Sequence, residues 1–396
     1  MPKQTIRDLD IANKTVLVRV DFNVPLNADG SIADDSRIQA ALPTLVYLLK
    51  HDAAVIVISH LGRPTQNLEH DRNLRMDVVA ARLQSLLPDV PMKKCDEVTG
   101  AKATAMAEHL GPGSLLMLEN LRFDSGEKQG DETFAAQLHA LADVYVNDAF
   151  ASCHRTDASM YALALAFPKE KRVIGFLVEN EIDTLAKLLA SPEKPAVAIM
   201  GGAKISDKLG VISRLVSSFN HILIGGALAY TCLKAKGIAV GASLVDDDEI
   251  EDLLTVEKGA FDIIVLPQDH VVVKQSDPTG ECKIVDNAIP DGWIGMDIGP
   301  KTIAAYKKIL DDAETIIWNG PLGKFEDRRF QMGTLEIAKY LAASRAVTII
   351  GGGDSSAAVA KFGLTSKMTH VTTGGGAFLE FLEKGTLPAL TVIEDI

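Results

Sequence analysis

Short apolar runs rich in valine and isoleucine recur along the chain and alternate with amphipathic stretches of helical periodicity. The amphipathic stretches include residues 41–50, 77–87 and 209–219. Continuous apolar strands that alternate with helices are typical of parallel sheets covered on both faces, so the pattern predicts an α/β fold. The predicted strands form two series, residues 16–20, 55–59, 115–118 and 144–146, then 197–200, 221–224, 263–266, 315–318, 347–350 and 370–372.

Two series of strands predict two doubly wound domains. The length of 396 residues agrees, because a chain of this size exceeds what a single hydrophobic core usually holds. A helical stretch at 179–190, followed by the sequence SPEKP at 191–195, is the predicted junction between the domains.

Polar or glycine-rich clusters directly follow most of the predicted strands. Ligands of open parallel sheets bind outside the carboxyl ends of the strands, so these clusters predict one binding site at the carboxyl edge of each sheet. The clusters are DFN after Val20, SHLGR after Ile58, ENLRF after Leu118, NDAF after Val146, GGAK after Met200, GGA after Ile224, NGPLG after Trp318 and GGGD after Ile350.

The charge distribution narrows the choice of ligand. A net charge of −13 disfavours a nucleic-acid-binding protein, whose binding surface should be basic. Ten of the fourteen arginines nevertheless precede residue 173. Arginine pairs with carboxylate and phosphate through two parallel hydrogen bonds, so the first half is expected to bind a small polyanion. Ordinary surface charge is the alternative for part of this set.

The chain carries no signal-peptide core and no apolar run long enough to span a bilayer, so we expect a cytoplasmic protein without membrane segments. Its four cysteines are far apart and show no metal-type spacing. We therefore expect reduced thiols that pack in the core.

The stretch TIIGGGDSSAAVA at 348–360 places glycines between a strand and a helix. It lacks the third glycine of a dinucleotide fingerprint. A Walker A loop is not present at the two segments that look similar to one. Residues 295–302 have the wrong spacing, and GPLGKF has Phe325 where a serine or threonine should follow the lysine. Exposed N–H groups at a helix start still suit a phosphate, and Asp354 there suits a nucleotide that carries Mg²⁺. A helix N-cap is the alternative role for Asp354.

The segment GGAKISDKLG at 201–210 repeats the order of strand, glycines and helix. Lys204 and Lys208 lie four residues apart, which places them on one face of a helix or at its entry. Two like charges there are unfavourable unless an anion binds both. Solvated surface lysines are the alternative.

The ordered set VLVRVDFNVPL, SHLGRP, LENLRF, NDAFASCHR, GGAKISDKL, WNGPLGKFE, GGGDSS and TTGGGAFLEFLEKGTLPAL resembles the phosphoglycerate kinase family over essentially the whole chain. The resemblance implies two Rossmann-like domains joined by a helical hinge. Phosphoglycerate would bind to residues 1–175, onto which 380–396 would pack back, and the magnesium nucleotide to 183–375. The reaction would be reversible phosphoryl transfer from 1,3-bisphosphoglycerate to ADP, giving 3-phosphoglycerate and ATP, by a monomer.

For the triose, the resemblance implies that Asp21 and Asn23 hold the hydroxyl and carboxyl end of the glycerate. His60 with the arginines would surround the triose. Asp21 as a turn residue and His60 as a capping or core histidine are the alternatives. The implied substrate-binding residues are Asp21, Phe22, Asn23, Arg37, His60, Leu61, Gly62, Arg63, Arg122 and Arg155.

For the nucleotide, the resemblance implies that Lys208 binds phosphate oxygens, Asp354 lies near the Mg²⁺, and Glu326 accepts hydrogen bonds from the ribose hydroxyls. An exposed glutamate at a helix start is the alternative for Glu326. The N–H groups of 374–376 would face the transferring phosphoryl group. The implied nucleotide-binding residues are Lys208, Gly295, Asn319, Glu326, Gly352, Gly353, Asp354 and Ser355.

The implied mechanism needs no general base, because the acceptor carboxylate is already ionised at neutral pH. Catalysis would then depend on positioning the substrates and neutralising charge on the transferred phosphoryl group, with Arg37, Lys204 and Gly374 as catalytic groups. We expect domain closure about a hinge at 176–183, with a second crossing at 372–376. A nicotinamide-dependent dehydrogenase and a catalytically silent nucleotide-binding scaffold are the rival hypotheses.

Overall fold

The fold consists of two compact units. The computed structural model describes residues 2–65, 67, 71–203, 206, 208–255 and 260–396. One unit comprises Met1–Leu185 with Thr386–Ile396, and the other comprises Ala186–Gly385. The division therefore falls within one helix, and the segment 380–396 is shared between the units.

The first unit alternates strands with helices. Its strands are β1 Thr15–Val20, β2 Ala54–Ile58, β3 Met92–Lys94, β4 Leu115–Met117, β5 Val144–Asp148 and β6 Arg172–Ile174. Its helices are α1 Ser36–Lys50, α2 Asp77–Leu86, α3 Ala101–Glu108, α4 Gly126–Gln129, α5 Glu132–His139, α6 Ala162–Ala166 and the start of α7 Phe176–Ala190. The short helix α16, Pro388–Thr391, belongs to the same unit.

The six strands of the first unit form a parallel sheet in the order β3-β4-β2-β1-β5-β6. Register is regular, with Leu17 beside Ile56 on one side and Tyr145 on the other. After β1 the chain forms β2, β3 and β4 on one side of that strand, and it then forms β5 and β6 on the other side. The strand order thus reverses between β1 and β5, and ligands of open α/β sheets bind outside the carboxyl ends at such a point.

The second unit has the same design with an added antiparallel sheet. Its strands are β7 Ala196–Met200, β8 His221–Ile224, β9 Ile264–Val265, β10 Asp269–Lys274, β11 Lys283–Asp286, β12 Trp293–Ile298, β13 Thr315–Asn319, β14 Val347–Gly351 and β15 His370–Val371. Its helices, after the end of α7, are α8 Leu209–Leu215, α9 Gly226–Ala235, α10 Ile250–Thr255, α11 Ala260–Ile263, α12 Pro300–Leu310, α13 Met332–Ala343, α14 Gly353–Lys361 and α15 Gly375–Lys384.

The parallel sheet of the second unit has the order β15-β14-β13-β7-β8-β9. This is the doubly wound arrangement of dinucleotide-binding folds, with its reversal between β7 and β13. The antiparallel sheet has the order β11-β10-β12, and its register shifts at Val271/Val272.

Burial explains why the apolar runs form central strands. All five residues of β2, β7 and β13 are buried, as expected for strands covered by helices on both faces. The largest fully buried side chain is that of Trp318, whose Nε1 donates a 2.7 Å hydrogen bond to the carbonyl of Gly320. The core therefore anchors a glycine at the carboxyl end of β13.

The prediction of two doubly wound parallel domains is confirmed, and every predicted strand has a counterpart. Four helices differ in extent from the prediction, of which α2 differs only in ending one residue earlier, at Leu86. Helix α1 begins at Ser36 and contains Pro43, α7 begins at Phe176, and α8 ends at Leu215. The predicted strand at 263–266 is shorter, because residue 263 ends α11. Strands β3, β6, β10, β11 and β12 were not predicted.

None of the helices among the described residues combines the length and the apolar character that crossing a bilayer would require.

Candidate active site

In the first unit, polar segments follow β1, β2, β4 and β5 at the carboxyl edge of the sheet. Asp21 is 7% exposed and forms an ion pair with Arg37 in the first turn of α1. Burial raises the pKa of the Asp21 carboxyl, but the guanidinium group of Arg37, together with weaker contributions from neighbouring groups, outweighs burial and holds the pKa below its ordinary value. Asp21 is therefore an ionised carboxylate that orients Arg37.

Side-chain hydrogen bonds join the predicted segments to one another. Asn23 Oδ1 accepts a 2.8 Å hydrogen bond from the backbone N–H of Gly62. Arg122 Nη1 donates a 2.7 Å hydrogen bond to the Gly62 carbonyl. Buried Asn120, which was not predicted, accepts hydrogen bonds from the N–H groups of Leu61 and Arg122 and fixes both loops. The structure thus brings the segments after β1, β2 and β4 together.

His60 is 2% exposed and lies beside charged groups. Burial, reinforced by the positive charge of Arg19, lowers the pKa of His60 well below its ordinary value, and Arg122 and Arg155 act in the same direction. The ring is therefore neutral at physiological pH. The prediction did not include Arg19, although an arginine within an apolar strand is itself a signal, because buried arginines are rare unless they are paired.

The remaining predicted residues of this unit differ in accessibility. Arg155 is part-exposed and lies 3.9 Å from the Asp157 carboxylate. Arg63 is exposed. Phe22 and Leu61 have buried side chains, so they can offer a ligand only their backbone groups.

Charge at this carboxyl edge is strongly positive. Arg37, Arg122 and Arg155 supply guanidinium groups, while Asp21 is the acidic member of the predicted set. Burial and the neighbouring Arg155 lower the pKa of Arg122, which shows that the cations repel one another. An anion bound among them would relieve that repulsion, so the arrangement suits a small molecule with more than one negative charge.

In the second unit, a cavity of about 470 Å³ lies where β7, β13 and β14 end. It is lined by Gly202, Ala203, Lys208, Asn319, Gly320, Gly352, Gly353, Asp354, Ser355, Gly375, Gly376 and Leu379. Six of these twelve residues are glycines, so the wall is largely bare backbone.

The wall has a defined shape because the loops are bonded to one another. Asn319 Nδ2 donates a 2.9 Å hydrogen bond to the Gly351 carbonyl. Buried Ser355 accepts a 2.6 Å hydrogen bond from the N–H of Gly320. Gly352 has a φ of +99°, and a Cβ there would lie 2.7 Å from Asn319 Nδ2. Only glycine meets both requirements without strain.

Two helix N-termini converge on this cavity. Gly352 is the N-cap of α14 and Gly374 is the N-cap of α15. A Cβ on Gly375 would lie 3.0 Å from the backbone nitrogen of Gly353, so the two helix starts nearly touch. The first N–H groups of a helix have no partner within the helix, and these groups together with the positive ends of both helix dipoles suit the binding of an anion.

Lysine and aspartate side chains add charge to the wall. Lys208 is 7% exposed and immediately precedes α8, and it lines the cavity. Lys204, the other lysine of the predicted pair, lies outside the described residues. Asp354 is exposed in the first turn of α14 and is not the N-cap, so the capping role left open for it does not apply.

An adjoining cavity of about 330 Å³ shares Gly202, Ala203 and Asp354 with the first. Its other lining residues are Gly226, Ala227, Tyr230, Leu244, Ile294, Gly295, Met296, Pro321, Gly323, Lys324 and Glu326. Most of this lining is apolar or backbone, which suits a flat aromatic group, and the exposed carboxylate of Glu326 supplies a hydrogen-bond acceptor.

Gly295 lines this second cavity and packs closely against a side chain of α9. A Cβ on Gly295 would lie 2.3 Å from the phenol ring of Tyr230, which was not predicted. The N–H of Gly295 donates a 2.9 Å hydrogen bond to Ser243 Oγ. Gly295 is therefore required by packing against α9, and it forms a flat part of the cavity wall.

The chemistry of the second unit fits a cation that arrives with its ligand. Within the described part of the chain, no group of three or more histidine, cysteine, aspartate or glutamate side chains could hold a metal ion. Among the residues that the structure describes, Asp354 is the one carboxylate that lines the glycine-rich cavity. Mg²⁺ commonly takes one or two carboxylates and completes its coordination with substrate phosphates and water, so these residues fit a magnesium nucleotide.

Comparison with known proteins agrees with this geometry. A family model described as phosphoglycerate kinase matches residues 6–385. The chain is 48% identical over 401 residues to the phosphoglycerate kinase of Moorella thermoacetica, which covers 100% of both chains. It is 47% identical to that of Rubrobacter xylanophilus, covering 100% of this chain and 99% of the relative.

Solved structures are also similar. The structure of phosphoglycerate kinase from Coxiella burnetii matches with a TM-score of 0.85 at 34% identity, covering 99% of this chain and 98% of the other. The enzyme from Pyrococcus horikoshii matches with a TM-score of 0.83 at 32% identity over the same shares.

Proposed function

This chain belongs to the phosphoglycerate kinase family, and from that premise we propose which of its residues carry out the reaction of the family. The reaction is reversible phosphoryl transfer from 1,3-bisphosphoglycerate to ADP, which gives 3-phosphoglycerate and ATP. The observation that carries the assignment is the pair of converging helix N-termini beside Lys208 and Asp354.

The triose binds at the carboxyl edge of the first sheet. Arg37, Arg122 and Arg155 neutralise the carboxylate and phosphate groups of the glycerate, with Arg63 as a further cation. Asp21 and Asn23 bind its hydroxyl and carboxyl end. The ion pair between Asp21 and Arg37 supports this proposal, because it holds both side chains ready at the site.

The nucleotide binds in the two adjoining cavities of the second unit. Its phosphates lie against Gly352, Gly353 and the start of α14, with Lys208 as the countercharge. The adenine occupies the cavity beside Gly295, and Glu326 accepts hydrogen bonds from the ribose hydroxyls. Asn319 and Ser355 shape the phosphate loop through the hydrogen bonds described above.

Asp354 would hold Mg²⁺ together with the nucleotide phosphates. When bound, the ion supplies charge neutralisation on the phosphate oxygens. Asp354 suits this role because it is exposed in the cavity and does not cap its own helix.

The chemical step breaks the bond between phosphorus and the acyl oxygen and forms a bond from phosphorus to an oxygen of the ADP β-phosphate. The leaving group is a carboxylate, which needs no proton, so no general acid or base is required. Arg37, Lys204 and the N–H groups from Gly374 onward stabilise charge on the moving phosphoryl group. Lys204 enters this proposal from the family resemblance alone.

Transfer requires the reacting oxygens to come into contact. Because the two substrates bind on different units, the proposal includes closure about residues 176–183, with a second crossing at 372–376. One boundary between the units, at Leu185 within α7, supports the first of these segments, whereas the other boundary falls at Gly385/Thr386 and not at 372–376. Function as a cytoplasmic monomer stays a prediction.

A coupled assay of ATP formation from 1,3-bisphosphoglycerate and ADP tests the function. We expect turnover that depends on Mg²⁺ and is lost on addition of a chelator. A protein that bound MgADP without turnover would be the silent scaffold. Reduction of NAD by a hydroxy acid, with no ATP formed, would identify the dehydrogenase.

A further inference from the structure

Arg19 is a fully buried arginine in the middle of an apolar strand, and its contacts are unusual for such a position. Its Nε donates a 2.8 Å hydrogen bond to Ser159 Oγ, and Nη1 donates to the carbonyl of Val20. Its Nη2 lies 3.0 Å from Nδ1 of His60. The guanidinium group is thus fixed at three points, and one of them is a histidine of the proposed triose site.

The charge of Arg19 is balanced within the core. Glu127 is fully buried, and its Oε1 lies 4.0 Å from Arg19 Nη2. Ser159 donates a 2.6 Å hydrogen bond from Oγ to Glu127 Oε1 and a 2.9 Å hydrogen bond from its N–H to Oε2. Buried charges persist when they are paired and hydrogen-bonded, so the three side chains form a fixed support for the His60 ring.

The contact between Arg19 and His60 determines which ring nitrogen carries the proton. A guanidinium group has only N–H donors, and it stays protonated in proteins. At 3.0 Å, Nδ1 of His60 must therefore be the acceptor and carry no proton. A neutral ring then has its N–H at Nε2, for which no hydrogen-bond partner is present among the described residues.

We propose that Arg19 is a positioning residue that holds His60 in the neutral tautomer protonated at Nε2, so that the ring donates a hydrogen bond to an oxygen of the bound glycerate. This inference rests on the proposed function for its ligand, whereas the tautomer itself follows from the contacts. With its N–H fixed, His60 always presents a donor to an anionic oxygen.

The other charged groups around His60 explain why a neutral donor is suitable. Asp21 follows β1 and favours protonation of the ring, whereas Arg19, Arg122 and Arg155 disfavour it. A second proton on the ring would add to a cluster of cations that already repel one another. The neutral tautomer donates a hydrogen bond in a fixed direction without adding to that repulsion. Its protonation state also does not change in the neutral pH range.

Nitrogen-15 NMR of the histidine-labelled, ligand-free protein tests the tautomer directly, and the spectrum of His60→Gln assigns the signals. We expect a protonated Nε2 and an unprotonated Nδ1 in His60, with a titration midpoint below that of an exposed histidine. Protonated Nδ1, or rapid averaging between the tautomers, would overturn the inference. Neither result depends on enzyme activity, so the proposed function can fail independently.

Kinetics of Arg19→Gln test the consequence. We expect KM for 3-phosphoglycerate to rise about 3- to 10-fold at neutral pH with kcat nearly unchanged, which corresponds to one hydrogen bond made equally in the ground and transition states. The His60 midpoint should move upward, and KM should become pH-dependent, falling as the ring gains its proton. A pH-independent KM with an unmoved midpoint would contradict the inference.

Two further variants separate positioning from folding. Ser159→Ala keeps the charge of Arg19 but removes the partner of Nε, so it should shift the His60 midpoint in the same direction by less. Lys102→Gln removes one exposed positive charge from the same unit and should leave His60 unmoved. If Arg19→Gln does not fold, the proposal is tested by the His60 titration midpoint in Ser159→Ala and by the His60 tautomer in the wild-type protein.

Discussion

Gly352→Ala is the substitution whose effect the structure defines most closely. The residue has φ +99° and ψ 142° and is the N-cap of α14. Placing a side chain in this glycine-only region costs about 1–3 kcal/mol. The new Cβ would also lie 2.7 Å from Asn319 Nδ2, so Asn319 must move and lose its hydrogen bond to Gly351, for about 0.5–1.5 kcal/mol more.

The sum, roughly 1.5–4.5 kcal/mol, should lower the Tm of the second unit by about 3–18 °C. Displacement of the loop also redirects the N–H groups, so we expect KM for ADP to rise by at least about tenfold. The assays are a thermal melt followed by fluorescence and the coupled ATP-forming reaction at varied ADP.

Gly363→Ala is a matched control at the other end of α14. Gly363 has φ +69°, but a Cβ there meets no atom within 4 Å. It should show backbone strain alone, about 1–2 kcal/mol, with KM for ADP unchanged. If Gly352→Ala and Gly363→Ala had the same Tm and the same KM, the geometry of the phosphate loop would not matter and the reasoning would be refuted.

Three further substitutions give separate tests. Arg37→Ala should reduce kcat about 10²–10³-fold while the protein still folds, with some loss of Tm because buried Asp21 loses its partner, and near-full turnover in the coupled assay would remove Arg37 from the mechanism. Phe378→Ala should lose about 3–5 kcal/mol in urea unfolding, because the fully buried ring packs on Gly351; a loss below about 1 kcal/mol would contradict that packing. Burial raises the pKa of Asp148 from 3.8 to about 7, so its contribution to stability is present below pH 3.8 and lost as the pH rises through 7. Asp148→Asn should therefore gain stability relative to the wild type between about pH 4 and 7, and parallel urea-unfolding curves across that range would count against this pKa.

The sequence was sufficient to predict which segments meet at the carboxyl edge of each sheet, because the position of a segment after a strand is fixed by the topology. Apolar runs identified the central strands, and the residues directly after Val20, Ile58, Met200 and Trp318 had to lie at a carboxyl edge. Phosphate binding by the glycine loop at 351–353 could be predicted without a fingerprint, because N–H groups at a helix start attract any anion, and it stays a prediction.

Other parts could not be predicted, because their signal exists only in three dimensions. Glu127 and Ser159 are far from β1 in sequence and belong to no motif, yet both support Arg19. Tyr230 looks like an ordinary helix residue until Gly295 is seen against its ring. The antiparallel sheet was missed because β11 is largely exposed and lacks an apolar run, although the valines of β10 carried a strand signal.

Under the proposed function, the two units bind anions by different means, and the ligands explain the difference. The glycerate substrate arrives without a metal, so its charges must be met by full cations such as Arg37 and Arg122. A nucleotide that carries Mg²⁺ is partly neutralised, so backbone N–H groups with Lys204 and Lys208 suffice, and Asp354 can be tolerated beside the phosphates. Reversing the sign at Asp354, as in Asp354→Lys, should therefore strengthen binding of metal-free ADP while it weakens binding of MgADP. Titration calorimetry with and without Mg²⁺ measures both affinities, and a variant that weakened both forms equally would show that Asp354 acts on the loop rather than on the ion.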